Sequence, residues 1–351
     1  MKLNIAVTGL HATDNPAPGI GVIRCLLNNE NWNGSIIGLG YDVYDTGIYD
    51  KGLLDHTYLI PYPNQGIDTF MARIEYIHSQ IPINVIIPTL DSELAVFQQI
   101  ESKLKELGIS LFIPNQETVN KRSKENLVSF CHDVNISTPE TIVVREAGKF
   151  QSAIDGIGFP LYVKGVFYDA YKCSTLTEAS KHYDELRKKW GFPILIQKPV
   201  KGEEFDICCV GGKNGELLGS VAIRKVGLTD KGKAWSAITI RNQELTEFSE
   251  NILKELKWNG PCELEIMVEE RTGKLFLLEI NPRFPAWIFL CTGAEQNLPT
   301  LVVDLAIGKE VAPLPPAKSG VTFVRHAADM ICPLDYIENL TIHGELHYES
   351  N

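Results

Sequence analysis

The sequence predicts an α/β domain on a parallel sheet, followed by mixed α+β segments that end in a strand hairpin carrying acidic residues. Two observations predict this. Up to about residue 113, short apolar runs alternate with helical spacings, and such alternation implies parallel strands joined by right-handed crossovers. Further on, Cys262-Glu263-Leu264-Glu265-Ile266-Met267-Val268 and Phe276-Leu277-Leu278-Glu279-Ile280-Asn281-Pro282-Arg283-Phe284 flank Glu270-Arg271-Thr272-Gly273-Lys274. That is a glycine-containing turn between two strand-like runs.

In the first part, Asn4 to Thr8 reads as a buried strand and Gly19 to Leu27 as the start of a helix. Ser35 to Leu39, Tyr58 to Pro61 and Val85 to Pro88 are further strands. Leu94 to Leu107 has helical spacing, and Leu111 to Ile113 closes the unit. The turn from Thr8-Gly9-Leu10 to Gly19-Ile20-Gly21 is too long for a dinucleotide fingerprint, so its glycines are assigned to chain reversal. Asp91 follows a strand's C-terminal end, where open α/β sheets place ligands. A helix N-cap is its equal alternative.

The second part runs from Asn115 to about Ile194. Ser123 to Val134 reads as a helix, Thr141 to Val144 as a strand, and Phe150 to Ile154 as a helix. Gly158-Phe159-Pro160-Leu161-Tyr162-Val163-Lys164 is a turn and then an apolar strand closed by a lysine. Such a lysine needs an anion or water: a phosphate is one partner, and snorkelling to the surface is the other outcome.

The third part runs from Leu195 to about Lys309. Ile194 to Val200 is strand-like, and Gly202-Glu203-Glu204-Phe205-Asp206 leads into a strand over Ile207 to Val210. Gly215 to Arg224 is another strand, followed by the basic tract Arg224, Lys225, Lys231 and Lys233. A helix over Glu244 to Leu256 precedes the acidic hairpin, and Phe289 to Ile307 is mostly helical. Pro313 to Pro316 sets off a tail with one more strand around Val321 to Arg325.

Composition narrows the class. With 351 residues, 44% hydrophobic and 22% charged, the chain has room for two or three domains around substantial cores. The net charge of -11 argues against a nucleic-acid partner, which would demand many phosphate contacts. It leaves room for a local basic pocket. No run reaches membrane-spanning length, and Met1 to Val7 lacks the features of a signal peptide, so the expected location is the cytoplasm. The eight cysteines form no Cys-x-x-Cys pair and are expected as buried free thiols.

The hairpin carries the chemistry. Strand alternation places Glu279, Asn281 and Arg283 on one face, and the turn aims Glu265, Glu279 and Asn281 at one point. Two carboxylates and an amide oxygen suit magnesium, a hard cation that shares its shell with phosphates. Arg283 is suited to a phosphoryl group or a carboxylate. An exposed hairpin with scattered charges is the alternative.

Four segments, in order, resemble the ATP-grasp superfamily over nearly the whole chain. Ser123-Lys124 up to Ile136-Ser137-Thr138-Pro139 resembles the family's opening helix, which implies a phosphate contact for Lys124. Gly158 to Lys164 is similar to its Gly-Phe-Pro-x-x-x-Lys strand, which makes Lys164 the second phosphate lysine. Ile196-Gln197-Lys198-Pro199-Val200-Lys201-Gly202-Glu203-Glu204 resembles the interlobe hinge. The resemblance implies adenine recognition by the Gln197 side chain, the Lys198 carbonyl and the Val200 amide, with Glu204 on the ribose. Glu265, Glu279, Asn281 and Arg283 match the metal strand and its Glu-x-Asn-x-Arg ending.

The implied architecture is an N-terminal preATP-grasp domain with a Rossmann-like parallel sheet over 1–113, then a two-lobed α+β ATP-grasp domain. Its first lobe covers 114–194, and its second lobe, with the metal site, covers 195–310. A tail over 311–351 packs on the core. The implied activity is an ATP- and magnesium- (or manganese-) dependent ligase, of carbamoyl-phosphate-synthase-like flavour. It activates a small-molecule carboxylate as an acylphosphate and joins it to an amine, with ATP clamped between the lobes. A homodimer is compatible with this reading. Carbamate phosphorylation within an enzyme complex is the runner-up, and a nucleotide-binding protein without turnover is a third reading. Arg283 is the first candidate to steady the acylphosphate and Arg224 the second, with a solvated basic patch the equal reading for Arg224. Lys231 and Lys233 are assigned to a solvated loop ahead of a lid over the triphosphate. Arg325 is assigned to an ion pair ahead of a substrate carboxylate. Two departures stand out. The family usually has an acid where Gln197 stands, although an amide oxygen also accepts from an adenine amino group. The loop 165–172, after Lys164, is aromatic where many members are glycine-rich.

Overall fold

Apolar runs of four to eight residues settle as strands wherever both of their faces find cover, and this governs the first sheet. The computed structural model describes residues 2–12, 16–166, 169–229 and 232–348. In chain order the first elements are β1 (Asn4–Val7), α1 (Gly19–Leu27), β2 (Ser35–Gly40), β3 (His56–Leu59), α2 (Ile67–Gln80), β4 (Val85–Ile87) and α3 (Leu94–Glu106). Next come α4 (Gln116–Lys121), α5 (Leu127–Asp133), β5 (Thr141–Val144), α6 (Phe150–Ile157), β6 (Leu161–Gly165), β7 (Ala170–Cys173), α7 (Leu176–Trp190) and β8 (Ile194–Gln197). The remainder is β9 (Gly202–Gly211), β10 (Leu217–Leu228), β11 (Ala234–Ile240), α8 (Gln243–Leu256), β12 (Gly260–Glu269), β13 (Leu275–Asn281), α9 (Phe289–Gly293), α10 (Leu298–Ala306), β14 (Thr322–Val324), α11 (Leu334–His343) and β15 (Glu345–His347).

These elements form two compact units. The first comprises Met1–Gln116, Asp206–Glu263 and Asn281–Asn351, and the second Glu117–Phe205 and Leu264–Ile280.

In the first unit, a five-stranded sheet has the order β15-β3-β2-β1-β4. β1 pairs in parallel with β2 and β4, and β2 with β3. Both faces are buried, as parallel sheets require. Ile5 and Val7 enter one core with Val22, Ile23 and Leu26 of α1. Ala6 enters the other with Phe70 and Ile74 of α2 and Phe97 and Ile100 of α3. The glycines after β1 serve close packing. A Cβ on Gly19 would lie 2.1 Å from the Thr8 carbonyl oxygen, so α1 starts hard against the end of β1 only because that side chain is absent.

The tail departs from expectation. It supplies β14, which pairs with β11, but also α11 and β15, and β15 joins the first sheet antiparallel to β3. A three-residue strand of Glu, Leu and His carries too little apolar signal to be read in isolation. Just before Leu111 to Ile113, which closes the unit, Ser110 bridges in parallel to Val85.

In the second unit, a four-stranded antiparallel sheet has the order β5-β8-β6-β7. Val144, Leu161, Val163, Ile194 and Ile196 pack with Ala153 and Ile154 of α6 and Leu186 of α7. Helix α7 is so polar that only Ala179, Tyr183 and Leu186 are buried, which hid it from periodicity. The expected helix over Ser123 to Val134 begins only at Leu127. Before it lies a turn in which the Asn126 and Leu127 amides both donate to the Ser123 carbonyl at 2.8 Å. Lys124 sits in that turn.

A third sheet has the order β13-β12-β9-β10-β11-β14, and the boundary of the two units falls within β9, β12 and β13. Among the described residues no helix is long and apolar enough to cross a membrane. All eight cysteines are free thiols, and all but Cys332 are buried.

Candidate functional site

The second unit gathers five charged side chains. On β6 the strand period buries Leu161, Val163 and Gly165 and turns Tyr162 and Lys164 to the opposite face. The Lys164 ammonium lies 5.3 Å from the centre of the Tyr162 ring. Lys124, from the turn before α5, places Nζ 3.2 Å from Glu279 Oε2 on β13, and both side chains are about a quarter exposed (21% and 26%). Burial lowers the pKa of Lys164 and the nearby Lys124 lowers it further, while Glu279, Glu265 and Glu204 oppose the shift. Burial raises the pKa of Glu279, and so does Glu265, against the pull of Lys124 and Lys164. The structure thus brings together Lys124, Lys164, Glu204, Glu265 and Glu279.

Opposite charges pair within this cluster, and like charges also lie near each other. A carboxylate raised by a neighbouring carboxylate is relieved by a cation, and a lysine lowered by a neighbouring lysine by an anion. Among the described residues no three His, Cys, Asp or Glu side chains converge as a metal site. Two carboxylates alone suit magnesium, which keeps much of its shell for water and phosphate oxygens.

The hinge segment lies on the same unit. Gln197 ends β8 opposite Thr141, only 7% exposed, and its Nε2 donates to Thr141 Oγ1 at 2.9 Å. With the nitrogen engaged, the amide offers its oxygen, an acceptor. Lys198 is held by its backbone amide, which donates to the Glu140 carbonyl at 2.9 Å, and its side chain makes an exposed pair with Glu140 at 3.4 Å. Val200 follows in the irregular stretch before β9. A Cβ on Gly202 would lie 1.9 Å from the Val268 carbonyl, so only glycine lets β9 begin where it does. Glu204 is partly exposed on β9.

The loop after Lys164 includes Phe167 and Tyr168, which lie outside the described residues. Its far end is tied down. Asp169, at a positive φ of 69°, accepts from Lys189 Nζ at 2.9 Å and Trp190 Nε1 at 3.2 Å on α7. The Lys189 hydrogen bond holds its carboxyl below the usual carboxylate range.

A second cluster belongs to the first unit. β13 ends at Asn281, so alternation does not carry Arg283 onto the face of Glu279 as the sequence pattern suggests. Carboxylates fix Arg283 instead. Its Nε lies 2.9 Å from Asp91 Oδ1 and its Nη1 3.5 Å from Glu263 Oε2. Nη1 also donates to the Phe284 carbonyl at 3.0 Å. Asn281 Nδ2 donates to Glu263 Oε2 at 3.1 Å, and Trp287 Nε1 to Glu263 Oε1 at 2.8 Å. Asp91 therefore faces an arginine, while Glu93 takes the turn's amides: its carboxylate accepts from Thr89 and Leu90 at 2.7 and 2.9 Å. Glu263 is the member of this cluster that the sequence reading passed over. Its one signal is its place two residues before Glu265, on the same strand face.

The basic tract divides. Arg224 is exposed on β10. Lys225 pairs at 3.0 Å with Asp206, whose side chain is 4% exposed. Lys231 lies outside the described residues, and Lys233 sits in a turn where its amide donates to Thr229 Oγ1 at 3.1 Å. Arg325 donates from Nη2 to the Ala286 carbonyl at 3.1 Å and lies over the Phe323 ring.

The family model described as "ATP-grasp in the biosynthetic pathway with Ter operon" matches residues 192–328. Over that stretch the chain is similar to ATP-grasp proteins. It is 25% identical over 224 residues to the carbamoyl phosphate synthase large chain of Thermoanaerobacter sp. (strain X514), an alignment covering 59% of this chain and 20% of the relative. It is 23% identical over 264 residues to the large chain of Caldanaerobacter subterraneus subsp. tengcongensis, covering 64% and 24%. The match thus spans only about a fifth to a quarter of the length of these relatives. Among solved structures, the biotin carboxylase domain of Hydrogenobacter thermophilus 2-oxoglutarate carboxylase, in complex with MgADP and bicarbonate, aligns with a TM-score of 0.70 at 15% identity, over 92% of this chain and 74% of that one. The L-amino acid ligase of Bacillus licheniformis aligns with a TM-score of 0.65 at 14% identity, over 88% and 75%. The ADP complex of N5-carboxyaminoimidazole ribonucleotide synthetase gives 0.66 at 12% identity, over 92% and 80%. The fold is therefore similar to that of these carboxylase and ligase structures.

Proposed function

We propose that this protein is an ATP- and magnesium-dependent ligase that activates a carboxylate as an acylphosphate and couples it to an amine. The observation that carries the reading is the gathering of Lys124, Lys164, Glu265 and Glu279 at one place. Lys124 and Lys164 are assigned to the phosphates. Gln197, through its oxygen, the Lys198 carbonyl and the Val200 amide are assigned to adenine, and Glu204 to the ribose. Glu265 and Glu279 would hold magnesium, and Asn281 is assigned to the ion with them from the sequence pattern alone. The ion, when bound, neutralises charge on the phosphate oxygens.

In the first step a carboxylate oxygen attacks the terminal phosphorus of ATP, the bridging P–O bond breaks, and ADP departs with the electron pair. Fixed lysines stabilise the charge that spreads over the phosphoryl oxygens without having to reorganise. In the second step the amine nitrogen attacks the acyl carbon, the C–N bond forms, phosphate leaves and the nitrogen loses a proton. Arg283, whose guanidinium forks onto two oxygens, is the first candidate to steady the acylphosphate, and Arg224 the second. Relatives with carboxylase and amino-acid ligase names support a carboxylate acceptor.

The test is ADP release across a panel of carboxylic acids with hydroxylamine present. The reading expects one class of acid to stimulate ADP release, with a matching hydroxamate trapped from the acylphosphate. ADP release indifferent to every acid, with no hydroxamate, would remove the ligase assignment.

A further inference from the structure

We infer that Glu263 is a positioning residue that sets both Asn281 and Arg283 for the reaction; this rests on the ligase reading above. Glu263 lies on β12 and is 7% exposed. Its two oxygens divide their work. Oε1 accepts the Trp287 indole N–H at 2.8 Å. Oε2 accepts the Asn281 amide at 3.1 Å and stands 3.5 Å from Arg283 Nη1. One buried carboxylate thus touches two of the residues assigned to chemistry, and a tryptophan fixes its own orientation.

The chemistry of the partners makes this more than packing. An asparagine amide has one donor end and one acceptor end. When Glu263 takes the donor, the amide is held against turning over, which fixes where its oxygen lies. A glutamine at 263 would carry a donor of its own, and the amide of Asn281 would then be free to present either end. The same carboxylate shares Arg283 with Asp91, which lies 2.9 Å from Nε. Between them the two acids fix the plane of the guanidinium. Fixed donors are what a transferring group needs, because donors that must reorganise lose much of their effect.

The experiment is a double-mutant cycle on acid-stimulated ADP release, with ATP affinity and melting temperature measured on each variant. Glu263→Gln is expected to lower kcat on the order of thirtyfold or more while the KM for ATP stays within about threefold, since removal of a transition-state interaction leaves ground-state binding in place. On an Arg283→Lys background the same change is expected to add no more than about threefold, because residues acting as one unit are not additive. Full multiplication of the two effects, or a folded Glu263→Gln protein with the wild-type kcat, overturns the assignment. Should Glu263→Gln fail to fold, Trp287→Phe replaces the indole by a smaller phenyl ring and removes the donor to Oε1, and it is expected to lower kcat with the same non-additivity. A Trp287→Phe protein with unchanged kcat then overturns the assignment. Wild-type protein that shows no acid-stimulated release overturns the ligase reading and this inference together. A normal wild type with additive variants overturns this inference alone.

Discussion

The two charged clusters of this protein are built on opposite terms. In the first unit, Arg283 lies between Asp91 and Glu263, and Glu263 in turn takes Asn281 and Trp287. In the second, Lys124 pairs with Glu279, yet Glu265 raises the pKa of Glu279 and Lys124 lowers that of Lys164. One cluster meets its charges with protein groups. The other also sets like charges beside each other. Perturbed ionisable groups gather at functional sites, and the difference supports the proposal of ligand binding at the second cluster and orientation at the first.

The largest effect expected from breaking this division is at Glu279. Glu279→Gln is nearly isosteric but removes a charge that magnesium needs, so acid-stimulated turnover should fall about a thousandfold or more. The fold should survive, since a neutral side chain relieves the repulsion with Glu265. Steady-state kinetics with a parallel thermal melt tests both halves, and wild-type turnover in this variant would remove the metal assignment.

Arg283→Lys probes the other cluster. It keeps the charge and loses the fork, so turnover should fall on the order of a hundredfold while ATP affinity stays nearly the same. A destabilised protein with normal kcat would mean that Arg283 only joins two acids together. Arg224, exposed on β10, should respond more weakly to the same substitution.

Gln197→Leu sharpens the contrast within the nucleotide residues. It deletes an oxygen assigned to adenine without touching the reacting groups. The KM for ATP should rise about tenfold with kcat unchanged, the pattern of lost uniform binding. A fall in kcat with constant KM would place Gln197 elsewhere in the mechanism.

The smallest effect is on stability in the absence of nucleotide and metal. Because the folded-state pKa of Glu279 is raised, the folded protein keeps a proton that the unfolded chain has lost. Its contribution to stability therefore falls as pH rises from the ordinary value of 4.5 through the raised one. Glu279→Gln should flatten that part of the pH profile of the melting temperature, and MgATP should reverse the slope in the wild type. A profile identical in both proteins would show that the carboxylates do not strain one another.

Much of this architecture was legible in the sequence. Alternation in the first part predicted the parallel pairing of β1 to β4, because strands such as Asn4–Val7 are buried on both faces and read as unbroken apolar runs. Strands β6 and β8 and the hairpin of β12 and β13 were legible for similar reasons. The elements that escaped are held by partners distant in sequence. β15 owes its pairing to β3 and to Arg73, whose Nη2 donates to the Gly344 carbonyl at 2.6 Å. Helix α7 buries only three of its residues. At the site, residue types announced the lysines and acids of the second unit, but no local pattern reports that Glu263 reaches Asn281, Arg283 and Trp287. Such a cluster exists only once the chain has folded.

The most direct test is calorimetric titration of ATP, with and without magnesium, into the wild type and Lys164→Met. If the second unit's cluster is a nucleotide site, ATP binds in a magnesium-dependent way, and Lys164→Met weakens it by about tenfold or more through the lost charge-assisted contact. Absence of binding at millimolar ATP, or binding indifferent both to magnesium and to Lys164→Met, would contradict the assignment of that cluster.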